Sequence, residues 1–133
     1  MKTTEEINKA VIINPKIITD EERANFEALA KGYAIKHGRP KVNVYIGVHP
    51  ETNERIVAYI KEPNFTEKLF AISKMQTSSP ILAGNEMREA LLLREESHPL
   101  TYGEGYECDA YKLGINDFCT HLGEIIQDSF KKK

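Results

Sequence analysis

The chain has 133 residues, 41% hydrophobic and 29% charged, with 8 Gly and 6 Pro; this excludes collagen-like, disordered and disulfide-framework classes and fits one globular domain, since chains usually divide only beyond about 250 residues. A formal net charge of -2, with Lys131-Lys132-Lys133 as the basic run, excludes a protein that grips nucleic acid by neutralising phosphates on a basic face. No stretch reaches the roughly 18 to 20 apolar residues of a membrane span, and Met1-Lys2-Thr3-Thr4-Glu5-Glu6 lacks the apolar centre of a signal peptide, so no membrane role is expected and the reading is a protein at work inside a cell.

Residues 1–18 carry Ala10-Val11-Ile12-Ile13, then Asn14-Pro15, then Ile17-Ile18, too short and too broken by Pro15 for a helix. They read as an arm of extended character ahead of a single domain at 19–133. Such an arm either packs on its own domain or adds a strand to a neighbour's sheet.

Thr19-Asp20-Glu21-Glu22 has the S/T-x-x-E pattern of a capping box, and Phe26, Leu29, Ala30 and Tyr33 follow at helical spacing until Gly38 and Pro40, predicting a helix over about 20–37. Val42, Val44, Ile46 and Val48 then alternate with Asn43, Tyr45 and Gly47. Across the turn residues His49 to Glu54, Ile56, Ala58 and Ile60 alternate in the same way. Strands at about 41–48 and 55–61 should therefore pair as an antiparallel hairpin with the two aliphatic faces together, leaving Tyr45, Val57 and Tyr59 outside.

Asn64 with Glu67 starts a helix over about 65–76 carrying Phe65, Leu69, Phe70, Ile72 and Met75. Ser79-Pro80 opens another over about 80–94, with Leu82 or Ala83, Met87, Ala90 and Leu91 inward. His98-Pro99 closes it, and residues 97–107 read as a loop rich in Gly and Tyr. The last helix, about 110–130, turns Ile115, Phe118, Leu122, Ile125 and Ile126 inward. The fold class is thus α+β, one antiparallel hairpin packed with four helices, and Val44, Ile46, Ile56, Ile60, Leu69, Ile72, Phe118, Leu122 and Ile125 are expected to be buried together.

Little in the chain suggests catalysis. His37, His49, His98 and His121 fall at peripheral positions, and there is no nucleophile elbow, phosphate loop or dinucleotide fingerprint; Gly103-Glu104-Gly105 follows no strand. Cys119 and His121, two apart on a helix, point about 200° away from each other, the wrong spacing for a pair of metal ligands, so no metal is assigned, and no cofactor or catalytic residue is assigned either. Cys119 is expected in the core and His121 outside. The remaining polar cluster, His98, Tyr102, Glu104, Tyr106 and Cys108, keeps a small enzyme with a site in the 98–108 loop as the alternative. The residues assigned to protein binding are Val11, Ile12, Ile13, Ile17 and Ile18 of the arm, and Tyr102 and Tyr106 of the loop, because Tyr gives contact area at small entropic loss. The same loop could equally pack its own tyrosines.

Three segments carry a family resemblance: Val57-Ala58-Tyr59-Ile60-Lys61-Glu62-Pro63, Ala71-Ile72-Ser73-Lys74-Met75 and Ala83-Gly84-Asn85-Glu86-Met87. The order of elements and these segments, over about 100 of the 133 residues, resemble small phage and prophage proteins of the tail assembly chaperone type. The first 18 residues and the tyrosine loop depart from that pattern. The resemblance implies a small non-enzyme of the host cytoplasm or the virion, which binds other phage or virion proteins during assembly and carries no catalytic residue; self-association into a homo-oligomer stays open.

Overall fold

The computed structural model describes residues 17–131 and has the expected α+β class. Its elements are α1 (Asp20–Lys36), β1 (Val42–Val48), β2 (Arg55–Lys61), α2 (Phe65–Thr77), α3 (Pro80–Leu91), a 3-10 turn (Pro99–Thr101) and α4 (Tyr106–Lys131). The helix starts obey local chemistry. Glu22 N–H donates to Thr19 Oγ1 at 3.1 Å and Thr19 N–H to Glu22 Oε1 at 3.3 Å, closing the predicted capping box. Asn64 and Glu67 repeat the device on α2, and Ser79 Oγ accepts from Leu82 N–H on α3.

The hairpin departs from expectation in its register. Its ladder pairs Val44 with Tyr59, Ile46 with Val57 and Tyr45 with Ala58, so even-numbered residues of β1 share a face with odd-numbered residues of β2. The two aliphatic sets therefore lie on opposite faces, because a shift of one residue carries every side chain of a strand across the sheet. The six-residue connection sets that parity: His49 N–H donates to Glu54 C=O at 2.8 Å, and Asn53 turns the chain at a φ of 64°.

One face holds Val42, Val44, Ile46, Val57 and Tyr59 against Phe26, Ala30, Tyr33 and Ala34 of α1. The other holds Ala58 and Ile60 against Ala71, Met87, Leu91, Ile115, Cys119 and Ile126 of the remaining helices. Val57 and Tyr59, expected outside, are buried, and α1 forms its own layer over them.

β2 is central for a second reason. Its far edge is covered by residues 92–98: Leu93 N–H donates to Tyr59 C=O at 2.8 Å, His98 N–H to Val57 C=O at 2.9 Å, and Tyr59 N–H to Ser97 Oγ at 3.0 Å. These bonds explain why α3 ends at Leu91 rather than near residue 94. A buried strand must find partners for its backbone, and the extended chain at Leu92 and Leu93 supplies them. Similarly, part of the expected 97–107 loop is ordered as the 3-10 turn, capped by His98 Nδ1 accepting from Leu100 N–H, and α4 begins earlier than expected, at Tyr106.

The last correction concerns the core list. Ile56 and Ile60 are fully buried, but Leu69 is 48% and Ile125 63% exposed. The inward line of α4 runs through Tyr111, Ile115, Cys119 and Ile126, so adjacent Ile125 is turned outward by about 100°. On α3 it is Ala83, not Leu82, that faces in. There, α3 crosses α4 so closely that a Cβ on Gly84 would meet Thr120 Oγ1 and stand 2.5 Å from Asn116 C=O.

Equilibrium urea unfolding of three variants tests this packing. Ile60→Ala should cost about 2 to 5 kcal/mol, whereas Ile125→Ala should change stability by no more than about 0.5 kcal/mol. Gly84→Ala should cost about 1 to 3 kcal/mol, since the Asn116 carbonyl belongs to helix backbone and cannot rotate away.

Candidate protein-binding surfaces

Of the residues assigned to binding, Val11, Ile12 and Ile13 lie outside the described residues. Ile17 is exposed and Ile18 half-buried. Arg55 fixes where this segment meets the domain: its Nη2 donates to Ile17 C=O at 3.1 Å, and its guanidinium pairs with Glu22 at 2.8 and 3.1 Å. The hydrogen bond from Arg55 holds the Glu22 carboxyl below its usual range.

The loop tyrosines behave differently from each other. Tyr102 packs against the core beneath the loop, with the Arg94 guanidinium 5.4 Å from its ring centre. Tyr106, the first residue of α4, is 92% exposed. The neighbouring polar side chains do not converge. His98 Nε2 reaches Glu54 Oε2 at 2.9 Å, Cys108 is buried with its thiol toward Glu104 C=O, and Lys112 Nζ donates to Gly103 C=O at 3.2 Å. His98 ties the loop to Glu54 and Ile17 ties the arm to Arg55, so both elements are anchored at neighbouring residues of the hairpin while each keeps its own partners.

Cys119 lies in the core and His121 outside, as expected. Desolvation pushes the Cys119 thiol up to about 12, against a weaker opposing effect of Arg88, so it stays protonated and unreactive at neutral pH. His121 sits 3.7 Å from both Asp117 and Glu124 on the solvent side. Among the described residues no group of three or more His, Cys, Asp or Glu is placed to hold a metal ion, and no helix is long and apolar enough to cross a membrane.

Two surfaces that sequence reasoning did not single out are the most distinctive. The first is a groove of about 450 Å³ between α2 and the end of α4, lined by Phe65, Leu69, Ile72, Leu122, Ile125 and Ile126 with Glu62, Lys68 and Ser129 at its rim. Phe65 is 74% exposed, so the groove is open and apolar. Its signal in the sequence is the doublet Ile125-Ile126, since neighbours point about 100° apart and an apolar residue beside a core position can carry the apolar surface past the core. The second is a cleft of about 660 Å³ along the free side of β1, between α1 and Phe118 of α4. Neither surface is lined by any residue of 98–108.

The end of α1 is held by an ion-pair cluster centred on Glu96. Glu96 Oε1 accepts from Lys36 Nζ at 2.8 Å and lies 3.1 Å from His37 Nε2, while Oε2 is buried without a hydrogen-bond partner. Burial alone would raise the Glu96 pKa; the hydrogen bonds from Lys36 and His37 outweigh it, and the net shift is downward. Compared with known proteins, the chain matches no family model, no curated protein and no solved structure.

A folded pKa below the unfolded value means stability that is complete above about pH 4.5 and lost as pH falls through the folded pKa. Thermal melts between pH 6 and pH 3 should therefore show a steep loss of melting temperature in the native chain. In Glu96→Gln the loss should be shallower, with a lower starting value at pH 6.

Proposed function

We infer that the protein acts by binding other proteins, and that the groove between α2 and α4 is its principal contact surface. The observation that carries this reading is the exposure of Phe65, Leu69 and Ile125 side by side in one open apolar groove. Contiguous apolar surface rimmed by polar residues is the usual mark of an interaction site in a small domain, because leaving it in water is costly. Its lining is aliphatic and aromatic, with a few charges at the edge, as in the central part of protein interfaces.

The resemblance to tail assembly chaperones gives the partner class: proteins of a phage-type virion, bound during assembly in the host cytoplasm or retained in the particle. Support for it comes from the segments Val57 to Pro63, Ala71 to Met75 and Ala83 to Met87. These form most of β2 with its exit toward α2, the second half of α2 and the middle of α3. The function proposed is that of a non-enzymatic assembly or accessory protein.

The experiment is capture on the tagged full chain from cells producing the virion, with the bound proteins identified by mass spectrometry. Virion structural proteins should be recovered. Phe65→Asp combined with Ile125→Asp should lower their recovery at least tenfold at an unchanged melting temperature, since both side chains are already largely in water. Recovery without virion proteins, or recovery indifferent to the two substitutions, overturns the assignment.

A further inference from the structure

We propose that the free edge of β1 is the docking site for residues 10–13 of a second copy of this chain, so that two molecules exchange arms. The inference is independent of the groove assigned above.

The ladder shows which backbone groups are free. His49 N–H bonds Glu54 C=O, and Glu62 N–H bonds Lys41 C=O. In an antiparallel pair this makes Asn43, Tyr45 and Gly47 the residues that direct both N–H and C=O at β2, and it leaves those of Val42, Val44, Ile46 and Val48 directed outward. No described residue bonds to them. The other side of β2 is covered by residues 92–98; the outer side of β1 opens into the cleft between α1 and Phe118.

A row of unpaired strand groups between two helices suits an added strand. It does not suit a second copy of β1, which would bring its own flanking helices into the same space. The arm offers a sequence that suits a strand. Ala10-Val11-Ile12-Ile13 has one small and three β-branched residues, and its length of about 13 Å matches the stretch from Val42 to Ile46.

Chain direction and chirality decide whose arm it is. Arg55 holds Ile17 at the end of the hairpin where β1 finishes and β2 begins. A strand running straight into Ile17 along β1 would be parallel to β1, with α1 as the crossover. Viewed with α1 in front and β1 running upward, the side chains of Val42, Val44 and Ile46 point forward, and for L-residues in that setting N–H and C=O point to the right. Those are the outward groups, so the free edge is on the right. An arm placed there, returning through α1 and entering β1 on its left, would be a left-handed crossover, whereas such connections are right-handed in about 98% of cases. The molecule's own arm is thereby disfavoured and a partner's arm is not. Reciprocal exchange closes a two-fold dimer.

Sedimentation equilibrium of the full chain tests this. A mass twice the 15.1 kDa of one chain is expected. Ile12→Asp should raise the dimer dissociation constant at least tenfold. Val44→Pro, which removes an outward donor and leaves the bonds between β1 and β2 intact, should do the same. Mixing the two variants should restore a mixed dimer, because one supplies an intact edge and the other an intact arm. Should Val44→Pro fail to fold, hydrogen exchange in the full chain replaces it: the Val42, Val44 and Ile46 amides should be protected in a concentration-dependent way that Ile12→Asp abolishes. A monomer at every concentration, with or without protection of those amides, overturns the proposal. So does a dimer that withstands Ile12→Asp.

Discussion

The burial of β2 on both faces and along both edges is the constraint from which the rest of the structure follows. Ile56, Ala58 and Ile60 point to one side, Val57 and Tyr59 to the other, and all five are buried. Such a strand needs a helical layer on each face and a partner for every backbone group. α1 supplies one layer, the remaining helices supply the other, and β1 and residues 92–98 supply the partners. Tyr59 illustrates the result. Its ring packs edge-on to Tyr33 at 4.8 Å, its backbone is bonded to Leu93 and Ser97, and desolvation pushes its phenol up to about 12.

The two-sided arrangement makes α1 a separate layer that has to be fastened, and ion pairs stand at both of its ends. Glu22 meets Arg55 where the helix begins, and Lys36 and His37 meet Glu96 where it stops. Arg39, just beyond, pairs with Glu67 of α2 and donates to Glu62 C=O, joining the two layers around the end of the hairpin. Exposed ion pairs commonly contribute little, but Arg55, Arg39 and Glu96 keep only a small fraction of their side chains in water, where such contacts are less screened. On the opposite face the fit is steric: a Cβ on Gly114 would stand 2.9 Å from Tyr45 Cζ, and one on Gly47 3.0 Å from Tyr111 Cδ1. The missing side chains let the two tyrosines lie between sheet and helix.

A three-layer domain of this size cannot cover everything it presents. Surface falls more slowly than volume as chains shorten, so a small domain leaves a larger share of its apolar groups in water. Part of that remainder lies in the groove over α2 and α4, where Phe65, Leu69 and Ile125 are exposed, and part along the cleft beside β1, where Ile35 is. Both arise where a layer ends: α2 buries only Ala71 fully, and β1 is the last strand of a two-stranded sheet.

Elements were legible in the sequence because their signals are local. Thr19 with Glu22, Asn64 with Glu67 and Ser79 with Pro80 each place a helix start through bonds within four residues, and the alternation of Val42 to Val48 and of Ile56 to Ile60 needs nothing beyond the strand itself. What periodicity could not supply was the relation between elements. The parity of the hairpin depends on how six turn residues close, and a one-residue difference turned Val57 and Tyr59 from an outer face into a core. The end of α3 depends on the unmet hydrogen bonds of a strand far earlier in the chain, at Val57 and Tyr59, and the outward turn of Leu69 and Ile125 on the angle at which two helices meet. Sequence alone determined which segments form and where each begins; only tertiary structure decided which faces were left in water, because burial is a property of pairs of elements brought together by the whole chain.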